Sequence, residues 1–170
     1  MQLVFLIGYR GSGKTSVARL LADKLSWGWS DADAVLELRH GRSIRQIFAE
    51  EGEAGFRDKE AAVLCDLAGL EKQVVATGGG IVIRPENCAR LRAGKVVWLT
   101  ATADVLWSRL QEDAMTAHRR PDLAQGGLAE IEELLRRRAP LYAACADLVV
   151  DTAEKSPEDV ADAIYQWLAS

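Results

Sequence analysis

The sequence predicts an α/β fold in which a five-stranded parallel sheet carries helices on both faces, giving three layers. Three observations predict it. Short β-rich runs recur at 3–7, 27–30, 73–76, 95–99 and 148–151; helical patterns separate them; and runs such as LVFLI and VVWL are apolar without alternation. Strand–helix alternation makes parallel pairing the expected one, since each helix supplies the crossover that parallel neighbours need. Continuous apolarity is what a strand requires when both of its faces are covered.

A chain of 170 residues fits one domain, here 1–170. Its hydrophobic share of 49% and charged share of 27% are ordinary for a globular protein. A net charge of −4 gives no support for a broad nucleic-acid or polybasic membrane surface. Cys65, Cys88 and Cys145 show neither metal-ligand spacing nor a disulfide framework and are expected as small core residues in a reducing compartment. The opening MQLVFLIG has no basic leader region, and the apolar runs are far shorter than a membrane span. The expectation is a cytoplasmic monomer with a small-molecule partner, no nucleic acid and no membrane.

Several helices carry readable ends. Ser43 with Gln46 forms a capping-box pattern ahead of Ile47 and Phe48, and Gly52 is a stop signal. Thr102 is placed to cap the helix containing Asp104 and Leu106. The last helix opens on Ser156 and Pro157, and its stripe of Val160, Ala163, Ile164, Trp167 and Leu168 packs on the sheet. The stretch 111–127 is polar, holds Pro121 and the pair Gly126-Gly127, and lacks periodicity. It reads as a surface loop or as a lid over a site.

Residues 8–15, GYRGSGKT, match the phosphate-binding pattern G-x-x-x-x-G-K-[ST]. The stretch follows an apolar strand and precedes the helical TSVARLLADKL. Glycine lets the backbone curl until its N–H groups face phosphate oxygens, and the helix start adds partial positive charge. Gly11, Ser12, Gly13, Lys14, Thr15 and Ser16 are therefore expected to hold a nucleoside triphosphate. Lys14 reaches its β- and γ-phosphates, and Thr15 offers a hydroxyl to Mg²⁺. No base-recognition NKxD stretch and no strand ending in a Walker-B acid is found, which favours a small-molecule kinase over a motor or GTPase.

A second group of residues points to an acceptor. Asp31 and Asp33 stand two apart after a strand and, in an extended segment, share a side. They read either as a helix start capped by Asp33, or as one carboxylate for magnesium and one for the proton of a substrate hydroxyl. Arg138 falls on an inward stripe with Ile131, Leu134 and Leu135, so it is a structural ion pair or a clamp for a carboxylate or phosphate. Glu60 shares a face with Phe56, Val63 and Leu67 and lies three residues from Arg57. That is a surface pair, or a device in which Glu60 holds Arg57 against a ligand. Gly78, Gly79 and Gly80 after VVAT make either a flexible connection or a place where a ligand approaches the backbone.

Together these residues resemble the shikimate kinase family. The matching pieces are GYRGSGKT, DADAVLELRHGRSIRQIFAEEGEAGFRDKE, TGGG, RRP and RRRAPLY, in the family's order and over nearly the whole chain. The resemblance implies a P-loop fold of the nucleoside-monophosphate-kinase type with a lid, and transfer of the γ-phosphoryl group of ATP to the 3-hydroxyl of shikimate. It implies that Asp33 binds that hydroxyl and serves as base, while Asp31 and Thr15 hold Mg²⁺. Arg57 and Arg138 would clamp the carboxylate, with Gly78, Gly79 and Gly80 against the ring. Arg120 would reach the transferring phosphate, and Arg109 and Lys155 would flank the adenine. The acceptor region spans about 31–62 and the lid about 111–127. The lid departs from the family's R-P-L-L, reading Arg120-Pro121-Asp122-Leu123. The rival readings are a gluconate-type small-acid kinase and a catalytically silent nucleotide-binding regulator.

Overall fold

The computed structural model describes residues 2–113 and 127–170. These form strands β1 (Leu3–Ile7), β2 (Gly28–Asp31), β3 (Gln73–Ala76), β4 (Lys95–Thr100) and β5 (Leu148–Asp151). The helices are α1 (Lys14–Leu25), α2 (Ala32–His40), α3 (Ile44–Leu67), α4 (Pro85–Leu91), α5 (Ala103–Glu112), α6 (Gly127–Cys145) and α7 (Pro157–Ala169). The sheet order is β2-β3-β1-β4-β5, with every pair parallel, as the strand–helix alternation predicts.

β1 shows why the sheet needs two covers. Alternate side chains leave a strand on opposite faces. Leu3, Phe5 and Ile7 enter one core with Ala32, Leu36, Phe56, Leu64 and Tyr142. Val4 and Leu6 enter another with Val17 and Leu21 of α1 and Val160 and Ile164 of α7. All five residues of β1 are buried. At about 25 cal/mol per Å² of apolar surface removed from water, such burial is the main favourable term holding the layers together.

Local signals decide the ends. Ser43 and Gln46 make the expected capping box, with the Gln46 amide 3.1 Å from Ser43 Oγ and the Ser43 amide 2.8 Å from Gln46 Oε1. Ser156 caps α7 in the same way with Asp159, and Thr102 caps α5. Gly52 interrupts rather than ends α3: at φ 71° and ψ −175° it kinks the helix, which then runs on to Leu67. Glu51 spans this kink by accepting from Arg42 and from Lys59, each at 2.6 Å. β2 starts one residue later than the sequence pattern suggests, because the Trp27 amide donates to Ala22 O at 2.9 Å and is spent closing α1.

The topology also fixes where ligands gather. The connection leaving β1 travels to β2 at one edge, while the one leaving its neighbour β4 travels to β5 at the other. Adjacent parallel strands whose connections diverge leave a crevice at their C-terminal ends. Among the described residues, no helix is long and apolar enough to cross a membrane.

The cysteines correct one expectation. Cys65 is exposed, and Cys88 and Cys145 are only partly buried, so none is a fully buried core residue. Burial pushes the Cys145 thiol up to about 12, with a hydrogen bond to the neighbouring Cys88 adding to the shift. Its thiolate is therefore scarce near neutrality, and the thiolate is the nucleophile. Treating the native protein with iodoacetamide at pH 8 and mapping adducts by mass spectrometry should label Cys65 first and Cys145 only after unfolding. Early labelling of Cys145 would contradict this packing.

Candidate active site

The loop after β1 curls as the glycine spacing predicts. Gly13 sits at φ 93°, a left-handed conformation that side chains resist, and opens directly into α1. Lys14 folds back over the curl, its Nζ 2.8 Å from Gly8 O and 2.9 Å from Tyr9 O. With the helix start behind it, this curl concentrates N–H donors and positive charge at one point, the chemistry a polyphosphate needs. Gly11, Gly13, Lys14, Thr15 and Ser16 line a cavity of about 540 Å³.

Asp31 and Asp33 line the same cavity, and the structure sorts their roles. The helix cap is Asp31, not Asp33: its Oδ1 accepts from the Ala34 amide at 3.1 Å. Its other oxygen, Oδ2, accepts from Thr15 Oγ1 at 2.8 Å. Asp33 lies within the first turn of α2, so the segment is not extended there, and a shared cavity rather than strand alternation brings the two carboxylates together. Mg²⁺ takes oxygen ligands, usually one or two from protein beside phosphate and water. The adjacent Thr15 hydroxyl and Asp31 carboxylate fit that demand. Among the described residues there is no cluster of three or more His, Cys, Asp or Glu side chains able to cage a metal.

A second hollow, of about 320 Å³, opens on the other side of the curl. Ser12, Gly13, Arg109, Thr152 and Lys155 are among its lining residues. Arg109 reaches from α5 to donate to Gly11 O at 3.3 Å and to Thr152 O at 2.8 Å. Lys155 Nζ donates to Asp151 O at 2.9 Å. The hollow adjoins the phosphate curl and offers apolar side chains, Val17 and Val160, beside these cations. That combination suits a purine ring attached to the bound phosphates.

The residues expected from the sequence to hold the acceptor converge on the glycine turn after β3. Arg57 is 6% exposed, and its Nη1 donates to Glu60 Oε1 at 2.8 Å. Glu53 lies 3.5 Å from its Nη2, and the Phe56 ring lies 5.1 Å below the guanidinium. A Cβ at Gly80 would collide with that guanidinium, so a side chain there would have to displace Arg57 from its place beside Glu60. Arg138 is 9% exposed, 6.0 Å from the Tyr9 ring centroid, and its Nη1 would stand 3.6 Å from a Cβ at Gly79. Arg136 and Arg137 instead pair with Glu133 on the surface, as the helical stripe predicts. Gly79 lines the large cavity; Arg57 and Arg138 do not, and stand one residue behind its wall. Arg120 and residues 114–126 of the expected lid lie outside the described residues.

Four residues escaped the sequence reading. Arg10 is 8% exposed and lines the large cavity. Thr77, also in its wall, donates its hydroxyl to Leu6 O at 3.0 Å. Tyr142 donates its buried hydroxyl to Gly79 O. Thr152 receives Arg109. Only Tyr142 left a readable signal, since it follows Arg138 by one helical turn on the inward stripe.

The shikimate kinase family model matches residues 10–169. A shikimate kinase of Synechococcus sp. (strain CC9902) is 46% identical over 97% of this chain and 85% of its own length. That of Rhodopirellula baltica is 44% identical over 94% and 86%. Among solved structures, shikimate kinase from Acinetobacter baumannii in complex with shikimate superposes with a TM-score of 0.93 at 33% identity, covering 99% of this chain and 93% of that one.

The Arg57–Glu60 pair has a thermodynamic signature. Removing one partner of a buried ion pair costs about 3–5 kcal/mol, and here the low end applies because Glu53 remains 3.5 Å from Arg57. Glu60→Ala should lower the urea-unfolding free energy by about 3 kcal/mol on that ground. Glu133→Ala, which frees only exposed arginines, should leave the urea midpoint nearly unchanged. Equal midpoints for the two variants would mean the buried pair has no structural weight.

Proposed function

Because the chain belongs to the shikimate kinase family, we infer that its two ligand regions hold ATP and shikimate across one cavity. The enzyme transfers the γ-phosphoryl group of ATP to the 3-hydroxyl of shikimate, giving shikimate 3-phosphate and ADP, and it uses Mg²⁺. The observation that carries the assignment of residues is the junction at Gly79. This glycine shares a cavity with Lys14, Thr15 and Asp33, and it adjoins the buried guanidinium of Arg138.

The residues divide the work as follows. The curl around Lys14 binds the β- and γ-phosphates through backbone N–H groups and its ammonium. Thr15 and Asp31 would hold Mg²⁺, which when bound neutralises charge on phosphate oxygens. Arg109 and Lys155 bound the purine side. Arg57 and Arg138 fork the shikimate carboxylate, a geometry suited to the planar guanidinium. Glu60 fixes Arg57 in its rotamer, and Tyr142 fixes the Gly79 carbonyl, so the acceptor meets a wall already in place. Asp33 accepts the proton as the hydroxyl oxygen bonds to the γ-phosphorus and the bond to the bridging oxygen of ADP breaks. Little covalent help is needed; positioning and positive charge carry the acceleration.

The reading includes a single kinase domain over 1–170, acting as a cytoplasmic monomer without nucleic-acid or membrane partners; the net charge of −4 supports the absence of a nucleic-acid partner. A gluconate-type kinase shares the phosphate curl and a carboxylate-bearing acceptor, but the family match over residues 10–169 favours shikimate.

The acceptor assay is direct. Incubated with ATP, Mg²⁺ and either shikimate or gluconate, the enzyme should release ADP with shikimate; release with gluconate alone would overturn the acceptor. Arg138→Ala should raise the shikimate KM by about 10²-fold, the scale of a lost buried charge contact, with far less effect on the KM of ATP. Equal changes in both would argue against a carboxylate clamp.

A further inference from the structure

We propose that Glu51 is a positioning residue for the acceptor: it braces the kink in α3 and so sets where the Arg57 guanidinium stands, which on the reading above is where the shikimate carboxylate binds. Gly52, at the kink, adopts φ 71° and ψ −175°, a conformation that L side chains rarely take. A Cβ there would meet nothing within 4 Å, so with open space beside it the angle has to be held from elsewhere. Arg57 and its partners Glu53, Phe56 and Glu60 all lie beyond the kink. Their contacts fix the guanidinium within the second segment, 53–67. They do not fix that segment against the first, 44–51.

Two braces cross the kink. On the core side, the Phe48 and Phe56 rings stand 4.7 Å apart between centroids. On the solvent side is Glu51, the last residue before the glycine. Its Oε1 accepts from Arg42 Nη2 and its Oε2 from Lys59 Nζ, each at 2.6 Å. Arg42 lies ahead of the Ser43 cap, and its Nη1 donates to Glu50 at 2.5 Å, so it grips the end of the first segment through two carboxylates. Lys59 belongs to the second segment, two residues past Arg57. Two residues on a helix stand about 200° apart round its axis, so fixing Lys59 fixes the rotation that turns Arg57 inward. Gly55 fits this arrangement. A Cβ there would lie 2.6 Å from Glu51 Cβ and 3.0 Å from its Oε2, so glycine leaves the path by which Glu51 reaches back over the segment. The second segment has other ties, Asp58 to Arg84 at 2.8 Å and Asp66 to Arg39 at 2.7 Å, but neither joins the two segments of α3. Isolated exposed ion pairs contribute little, whereas one carboxylate shared by two cations across a bend restricts the bend itself.

Glu51→Ala removes one brace and leaves the aromatic one, so the fold should persist. The variant should raise the shikimate KM by about fivefold, the scale of a surface charge network. Its kcat and ATP KM should stay within about twofold, the pattern of binding lost equally from ground and transition state. A double-mutant cycle with Arg57→Ala shows the route: if Glu51 acts through Arg57, Glu51→Ala has no further effect once that guanidinium is gone. Lys59→Met supplies a second cycle that leaves the buried pair intact, and it decides the matter if Arg57→Ala fails to fold. Alone it should reproduce the rise in shikimate KM, and it should add nothing to Glu51→Ala. An unchanged shikimate KM overturns the proposal, and so do equal rises in both KM values, which would mark a general disturbance. So does an effect that persists in full without Arg57, or two independent losses in the Lys59 cycle. If the enzyme phosphorylates gluconate and not shikimate, the acceptor reading fails by itself, and the same cycles run on gluconate still decide whether Glu51 acts through Arg57.

Discussion

The active site depends on the register between β1 and β3. Leu6 is paired with Ala76, so the two strands end side by side and release their loops at the same edge. Thr77 locks this edge twice, donating its amide to Leu6 O at 3.1 Å and its hydroxyl to the same oxygen at 3.0 Å. One loop becomes the phosphate curl and the other the glycine turn. Side chains alternate along a strand, so a slip of one residue would turn the buried faces over. The apolar residues of β1 leave no tolerance for that, because both faces are filled. The hydrophobic layers therefore set the distance between the two ligand loops.

Around this edge the protein places charges that a core would ordinarily reject. Arg10, Lys14, Arg57, Glu60 and Arg138 are all buried. Lys14, Arg57, Glu60 and Arg138 are each tied to something fixed. Lys14 rests on the carbonyls of its own curl, Arg57 on Glu60 and the Phe56 ring, and Arg138 over Tyr9. In the proposed reading such restraint keeps Lys14 oriented toward the transferring phosphate and Arg57 and Arg138 toward the acceptor carboxylate, so little reorganisation is needed on binding or transfer. It also gives the glycines their meaning: Gly80 leaves room for Arg57, and Gly79 brings Arg138 to the back of the cavity wall.

Much of this was legible in the sequence. Five strands, the phosphate curl and the caps at Ser43, Thr102 and Ser156 follow local rules, and local chemistry decided them. Arg57 and Arg138 were legible for a different reason: Arg138 and Glu60, the partner of Arg57, each break an apolar helical stripe, and a charge there needs a partner. What stayed hidden depended on contacts between distant segments. Thr152 holds Arg109 across 43 positions, and Thr77 reaches back to Leu6 across 71. The choice of Asp31 rather than Asp33 as cap turned on where β2 ends, a boundary set by pairing with β3 rather than by propensity.

The most direct test is a crystal structure with ADP, Mg²⁺ and shikimate bound together. The account predicts the shikimate carboxylate between Arg57 and Arg138, with the 3-hydroxyl about 3 Å from the Asp33 carboxylate and facing the terminal phosphate of the nucleotide. A ring seated away from the Gly79 turn, or bound with Asp33 out of reach of every hydroxyl, would contradict it.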